Sequence, residues 1–150
     1  MAFDQTSELA LLMSSEKPNA WASLRGGSAP QVAETVMTMT FPVGIISALA
    51  GLGNDRRMIQ ISTQTSGSPL LDQSGNVVGI VSGETNTIQV AGTSSETTQN
   101  VNFAVNLGTI QSFLDGHAVP YVLNDSTETK KYADIAAEAM RYTVLLECAR

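Results

Sequence analysis

The stretch LLDQSGNVVGIVS, residues 70–82, decides the fold. Its centre, Asp72–Asn76, is rich in turn-forming residues, and an apolar run lies on each side. This arrangement predicts a β-hairpin with Val77–Ser82 as the return strand. Residues 34–41 and 58–62 alternate polar and apolar side chains, as expected of half-buried strands, and further short apolar segments occur over residues 44–50, 87–91 and 101–105. A turn signal about every ten residues is typical of a barrel or sandwich, so we expect about six or seven strands between Met37 and Val105.

The C-terminal part of the chain has a different pattern. A first helix, ending near Gly116, is predicted by apolar residues at helical spacing, namely Leu107, Ile110, Phe113 and Leu114. The polar segment 124–129 predicts a linker, and the Ala-rich segment 132–142 predicts a second helix. Residues 142–148 alternate, so these last residues could form a strand instead. The sequence therefore predicts an all-β fold with C-terminal helices.

The composition excludes several classes of protein. Hydrophobic residues make up 43% and charged residues 15%, a balance that excludes global disorder. Eight Lys and Arg residues against fourteen Asp and Glu give a net charge of −6, which leaves few residues for a nucleic-acid-binding face. There is one cysteine, Cys148, and one histidine, His117. We therefore expect no intramolecular disulfide, no metal and no cofactor, and interpret Cys148 as a small hydrophobe and His117 as a surface residue.

The sequence also bears on targeting. The segment Met1–Leu12 contains Asp4 and Glu8 and no basic residue before its short apolar run, so it does not resemble a signal peptide. No apolar stretch approaches the roughly 18 residues that a membrane-spanning helix requires. We therefore expect no association with a membrane.

One turn has the residues for nucleophilic chemistry. Thr65-Ser66-Gly67-Ser68 lies directly before Pro69-Leu70-Leu71. A serine beside glycine in a tight turn exposes a hydroxyl next to backbone N–H groups, which can stabilise the oxyanion formed when an acyl carbon is attacked. Taken alone, most Ser-Gly-Ser turns are simply turns.

This turn resembles the nucleophile segment of trypsin-like serine peptidases, especially the bacterial HtrA-like branch, whose motif is Gly-Asn-Ser-Gly-Gly-Pro-Leu-Leu. Residues 75–81 resemble the Gly-x-Val-x-Gly-Ile strand that follows in that family, and residues 102–105 resemble its Phe-Ala-Ile strand. Upstream, residues 34–42 and 46–49 resemble two further strands, and Glu8–Leu12 resembles the strand that carries the catalytic acid. These matches follow the order of the family from about residue 8 to residue 115.

The resemblance implies a fold and a domain organisation. The expected fold is a six-stranded antiparallel trypsin-like β-barrel, the second of the two in the family, with the first barrel largely absent. Residues 1–30 would be a remnant strand and linker from the first barrel, and residues 31–117 the second barrel with its closing helix. Residues 118–150 would be a linker and a helical or extended tail.

The resemblance also implies the residues of an active site. Ser66 occupies the nucleophile position and Glu8 the position of the catalytic acid. The oxyanion hole would involve Ser66 and Gln64. A peptide or protein substrate would align by strand addition along Ser82, Gly83 and Glu84.

The sequence departs from the family pattern at the site itself. Glu8 replaces an aspartate, and the extra methylene shifts the carboxylate by about an ångström, which can cost on the order of a hundredfold in rate. No histidine lies before Glu8, where the family has its general base, and His117 matches nothing in the motif. Gln64 and Thr65 replace the Gly-Asn pair before the serine, and Ser68 replaces the second glycine after it.

Three hypotheses follow. The first is a catalytically impaired or inactive member or truncated product of the peptidase family. The second is an active serine endopeptidase whose base comes from another chain or from His117, with the Gly67 N–H helping to stabilise the oxyanion. The third is a non-enzymatic peptide-binding or assembly module that forms homo-oligomers through an exposed barrel face. Relatives are often periplasmic or secreted, although this sequence contains no export signal.

Overall fold

A computed structural model describes residues 1–40, 42–63, 65–83, 86–88 and 99–147, and side chains are not described for residues 86–88, 99 and 100. The chain forms short strands as far as Asn106 and then two helices separated by one more strand. The strands are β1 (Ala2–Asp4), β2 (Leu9–Leu11), β3 (Ser23–Arg25), β4 (Thr35–Met37), β5 (Val43–Ala48), β6 (Met58–Ile61), β7 (Pro69–Leu71), β8 (Val77–Val81), β9 (Asn86–Ile88), β10 (Gln99–Asn106) and β11 (Val122–Asn124). The helices are α1 (Leu107–Gly116) and α2 (Tyr132–Ala139), and a short 3₁₀ turn spans Leu52–Asn54.

Six strands form a closed antiparallel barrel. Around the barrel the order is β4, β5, β6, β10, β8 and β7, and β7 pairs back with β4. The predicted fold, an all-β barrel with C-terminal helices, is therefore confirmed. Strand β4 is shorter than the predicted segment 34–41 because the Thr38 N–H donates to the Pro42 carbonyl, 3.4 Å away, so that the chain turns there.

Both faces of the barrel wall are buried, and neighbouring residues along a strand therefore enter different clusters. Leu70 and Val78 point into the barrel, where they meet Val36, Ile46, Ile59, Ile61, Val81 and Ala104. Their neighbours Leu71 and Val77 pack on the outside of the wall against residues of both helices, including Ile110 and Ile135. This explains why the hairpin strands β7 and β8 are nearly continuous apolar runs rather than strict alternations. Complete burial of one such side chain stabilises the fold by about 1.5–3 kcal/mol.

The first thirty residues pack against the barrel. Strands β1 and β2 form a separate two-stranded antiparallel sheet, and Leu9 of β2 belongs to the outer cluster. Strand β3 pairs in parallel with β8 on one side and with β11 on the other, and its Leu24 enters the same cluster. The β11 strand ends at Asn124, the first residue of the segment that was predicted as a linker.

The two helices occur where the sequence predicts them. Asn106 caps α1, since its side chain accepts a hydrogen bond of 2.9 Å from the Thr109 N–H. Helix α2 buries Ile135 and Ala139 against the barrel and ends sooner than the predicted residue 142. Residues 143–147 are irregular rather than extended in a strand, and Cys148 lies outside the described residues.

The barrel has two distinct ends. Strands β6 and β8 both run towards the end that carries residues 65–66 and 82–83, which we call the Ser66 end. The opposite end, where β6 and β8 begin and β10 finishes at Asn106, we call the far end. In the portion of the chain that the structure describes, no helix has the length and apolar character needed to cross a membrane.

Candidate functional site

Ser66 occupies the corner of a tight turn. The Ser68 N–H donates to the Thr65 carbonyl at 3.0 Å, and Gly67 between them has a φ of 75°. A positive φ at the third residue is the signature of a type II turn, for which glycine is the favoured residue. Ser66 is therefore the second residue of the turn, and it is exposed.

The turn is fixed to strand β8 and to the loop after β4. Gly67 donates its N–H to the Val81 carbonyl, and Val81 donates to the Ser68 carbonyl, both at 2.9 Å. The buried Ser68 hydroxyl accepts from the Met39 N–H at 2.8 Å and donates to the Pro69 carbonyl at 3.0 Å. Ser68 stands where the peptidase motif has its second glycine. Its side chain connects the Ser66 turn to the loop after β4.

Gly83 lies directly beside Ser66. A Cβ atom built on Gly83 would stand 3.1 Å from the Ser66 Oγ, with no other contact within 4 Å to a described residue beyond its chain neighbours. The serine hydroxyl therefore occupies the space that a side chain at residue 83 would need. Of the three residues expected to align a peptide, Gly83 and Ser82 adjoin this turn, and Glu84 lies outside the described residues.

Glu8 reaches the same surface from the turn between β1 and β2. Its Oε2 accepts a hydrogen bond of 2.6 Å from the Ser82 hydroxyl. Glu8 has a φ of 57°, a left-handed conformation that costs a residue with a Cβ about 1–2 kcal/mol. Glu8 is thus hydrogen-bonded to Ser82, and the next residue, Gly83, lies beside Ser66. These contacts place the Glu8 carboxylate and the Ser66 hydroxyl on the same surface.

Other side chains organise the turn that carries Glu8. Asp4 accepts hydrogen bonds from the Ser7 hydroxyl at 2.7 Å and the Thr6 N–H at 2.9 Å, and these bonds lower the pKa of Asp4. Arg57 donates to the Thr6 carbonyl at 3.1 Å while it holds both carboxylate oxygens of Asp55. The hydrogen bonds of Arg57 are the leading cause that lowers the pKa of Asp55 to about 2.

One of the expected oxyanion donors already has a hydrogen-bond partner. The Gly67 N–H is engaged with Val81, which contradicts the expectation that it stabilises an oxyanion. Neither the N–H nor the hydroxyl of Ser66 makes a hydrogen bond to a described residue. Gln64, the other expected contributor, lies outside the described residues. The Ser66 N–H is therefore one donor at the turn that an oxyanion can use.

Comparisons with known proteins place the chain beside a protein of uncharacterized function. No protein-family model matches the chain. The chain is 32% identical over 164 residues to the uncharacterized protein y4bJ of Sinorhizobium fredii (strain NBRC 101917 / NGR234). That alignment covers 99% of this chain and 26% of the relative, so the chain spans about a quarter of the relative's length.

His117 lies in a local arrangement at the end of α1. Its Nδ1 is 2.8 Å from the Phe113 carbonyl, and because a carbonyl can only accept, Nδ1 carries the proton. The ring also stacks against Phe113 with centroids 4.5 Å apart. These contacts agree with the interpretation of His117 as a surface residue beside the helix cap, and none of them involves Ser66, Ser82 or Glu8.

The arrangement limits what the site can do chemically. A serine hydroxyl at its ordinary pKa is a weak nucleophile, and an adjacent base must take its proton. No described residue serves Ser66 in that way. Among the described residues there is also no group of three or more side chains suited to hold a metal ion. The described site brings an exposed serine and a carboxylate to one surface, without a general base beside the serine.

Proposed function

We propose that this chain is the nucleophile-bearing barrel of a trypsin-like serine peptidase. By itself it is catalytically inactive, and a general base from outside the described residues activates it. The observation that carries the proposal is the 2.6 Å hydrogen bond between Ser82 and Glu8, residues 74 positions apart. It supports an acid held next to the surface where Ser66 is exposed. In this reaction Ser66 attacks a peptide carbonyl, and Glu8 orients the histidine that accepts the serine proton.

The proposal accounts for both the retained and the missing parts of the site. An acid and a serine without a base give no activated nucleophile, so the isolated chain is inert. Imidazole in solution can stand in for the missing side chain, since it is the same general base without a tether. Because Glu8 and Ser66 are both exposed, added imidazole can reach them.

The test is covalent labelling with a fluorophosphonate probe, followed by intact and peptide mass spectrometry. We expect no adduct from the folded chain alone, and an acceleration at Ser66 on the order of tenfold or more when imidazole is added. Ser66→Ala should remove the adduct and Glu8→Gln should reduce it. Ser15→Ala and Glu16→Gln, at exposed positions of the loop after β2, are the matched controls and should label normally.

Two outcomes would contradict the proposal. An adduct on Ser66 without imidazole would show that a base is already present. A folded sample in which imidazole produces no acceleration at Ser66 would remove the peptidase assignment and leave a binding function for the barrel.

One observation favours self-assembly as a second candidate function. The outward face of the β1–β2 sheet carries the exposed side chains of Phe3 and Ala10, flanked by the exposed Met1 and Leu12. A two-stranded sheet is marginally stable alone, and an apolar face on it favours a covering partner. Light scattering after size exclusion should give a dimer that Phe3→Glu converts to a monomer, whereas Val32→Glu, also at an exposed position, should leave the dimer intact. A monomer at all concentrations would exclude this candidate.

A further inference from the structure

A cavity of about 540 Å³ opens at the far end of the barrel, away from the Ser66 end. Its floor is formed by Ile59 and Val78, which belong to the cluster inside the barrel and are almost completely buried. Leu49 and Leu123 line it from the loop after β5 and from β11, and each is about half exposed. This volume falls within the range of roughly 300–1,000 Å³ that is typical of small-molecule sites.

The charge at the cavity disfavours an ionic ligand. Arg25 is the charged side chain among the described lining residues, and its guanidinium contacts the carboxylate of Glu34. It also lies 3.7 Å from Asp72, so two carboxylates compensate its charge. The whole chain has a net charge of −6, which adds a repulsion for anions. An uncharged ligand avoids both the repulsion and the cost of desolvating an unpaired charge.

The polar side chains of the lining are mostly engaged. Asn106 accepts from the Thr109 N–H and donates to the Arg56 carbonyl, and Ser28 accepts from Arg25. Gln111 differs, because its side chain makes no hydrogen bond within the described part of the chain. A ligand with one hydrogen-bonding group can therefore pair with Gln111 while its apolar body covers the leucines.

We propose that this cavity binds a small, uncharged, largely apolar molecule that carries one hydrogen-bonding group. The site is independent of Ser66, since the two lie at opposite ends of the barrel. A bound ligand covers Leu49 and Leu123 and makes apolar contacts that continue the core inside the barrel. It requires no hydrolysis, and the proposal therefore stands whether or not the chain belongs to a peptidase.

The chain supplies matched variants for a test. Leu49 lines the cavity and Leu52 does not, although the two side chains are 50% and 48% exposed. In β11, Leu123 lines the cavity while the adjacent Val122, 45% exposed, does not. A glutamate introduced at a lining position places an unpaired carboxylate against the ligand, whereas the same change at either control position adds the same charge elsewhere on the surface.

The probe is Nile red, an uncharged fluorophore whose emission rises in apolar surroundings. We expect saturable binding of one dye per chain, weakened about tenfold or more by Leu49→Glu and by Leu123→Glu, equivalent to roughly 1.4 kcal/mol or more. Leu52→Glu and Val122→Glu should bind as the unaltered chain does. 1-Decanol should displace the dye, and decanoate, which has the same chain length and a charge, should do so far less. The proposal would be overturned by an equal loss of dye affinity in lining and control variants, or by displacement of the dye by decanoate as effective as that by 1-decanol. Absence of saturable dye binding would also overturn it.

Discussion

The Ser82 hydroxyl donates a 2.6 Å hydrogen bond to the carboxylate of Glu8, across 74 residues of sequence. This contact joins the turn between β1 and β2 to the end of β8, one residue before the glycine that touches Ser66. The hairpin is therefore attached to the barrel by a polar contact at its turn as well as by the burial of Leu9. The position of the Glu8 carboxylate therefore depends on both the hydrogen bond to Ser82 and the burial of Leu9.

Glu8 and Ser82 should be energetically coupled. In a double-mutant cycle of Glu8→Gln and Ser82→Ala, we expect a coupling free energy of about 0.5–1 kcal/mol, at the low end of the range for residues in contact because the pair is largely exposed. The measurement is urea denaturation of the four proteins. A control cycle that pairs Ser82→Ala with Glu16→Gln should be additive, since the Glu16 side chain makes no hydrogen bond to a described residue. Additivity in the first cycle would mean that the hydrogen bond does not form in solution.

Arg57 should hold the turn that presents Glu8. Arg57→Gln removes the ion pair with Asp55 and weakens the hydrogen bond to the Thr6 carbonyl. We therefore expect faster amide hydrogen exchange in peptides that cover residues 1–13, measured by mass spectrometry, with exchange in β7 and β8 unchanged. Arg56→Gln is the control, because the Arg56 side chain has no hydrogen bond or ion pair among the described residues. The same acceleration in both variants would exclude a specific role for Arg57.

The barrel was predictable from sequence because its signal is local. A turn such as Asp72–Asn76 between two apolar runs specifies a hairpin, and several of these in succession limit the fold to few architectures. The exact strand ends were less predictable. The alternation of Thr and apolar residues after Met37 favours a longer strand, yet the hydrogen bond between Thr38 and Pro42 closes a turn there. A contact with the next strand overrides the local propensity in this case.

The site was predictable to the extent that it repeats a known motif. The resemblance singled out Ser66, Glu8, Ser82 and Gly83, which the structure links by contacts, and their roles remain predictions. Arg57 and the hydroxyl of Ser68 were missed as organising groups because their partners, Thr6 and Met39, are distant in sequence. The Asp55-x-Arg57 spacing gave a local signal for the ion pair, but none for the turn that Arg57 contacts.

Gly79 and Gly83 should respond differently to a methyl group. A Cβ on Gly79 would lie 2.8 Å from the Val105 carbonyl oxygen, and the backbone of the adjacent barrel strand cannot move away easily. We expect Gly79→Ala to lower the free energy of unfolding by about 1–3 kcal/mol. Gly83→Ala meets a flexible serine side chain instead, and we expect a change within about 0.5 kcal/mol. Urea denaturation measures both, and similar losses would contradict the close approach of β8 to β10.

Tyr142 should limit stability at alkaline pH. Burial, with a smaller effect of the Glu138 charge, raises the pKa of Tyr142 from 10.0 to about 12. Because the folded-state pKa exceeds the unfolded one, the unfolded chain loses the phenolic proton first as the pH rises. The contribution of the neutral phenol is therefore fully present below about pH 10 and is lost progressively as the pH rises through about 12.

Tyr142→Phe removes this titration and should flatten the decline in the free energy of unfolding between about pH 10 and pH 12. The measurement is urea denaturation at half-unit intervals from pH 9 to pH 12, with each protein compared with its own value at pH 9. Tyr132→Phe, at the exposed first position of α2, is the control and should retain the decline. A decline of the same steepness in Tyr142→Phe would show that the phenol of Tyr142 is not desolvated in the folded state, and that the turn after α2 does not pack against the outer cluster.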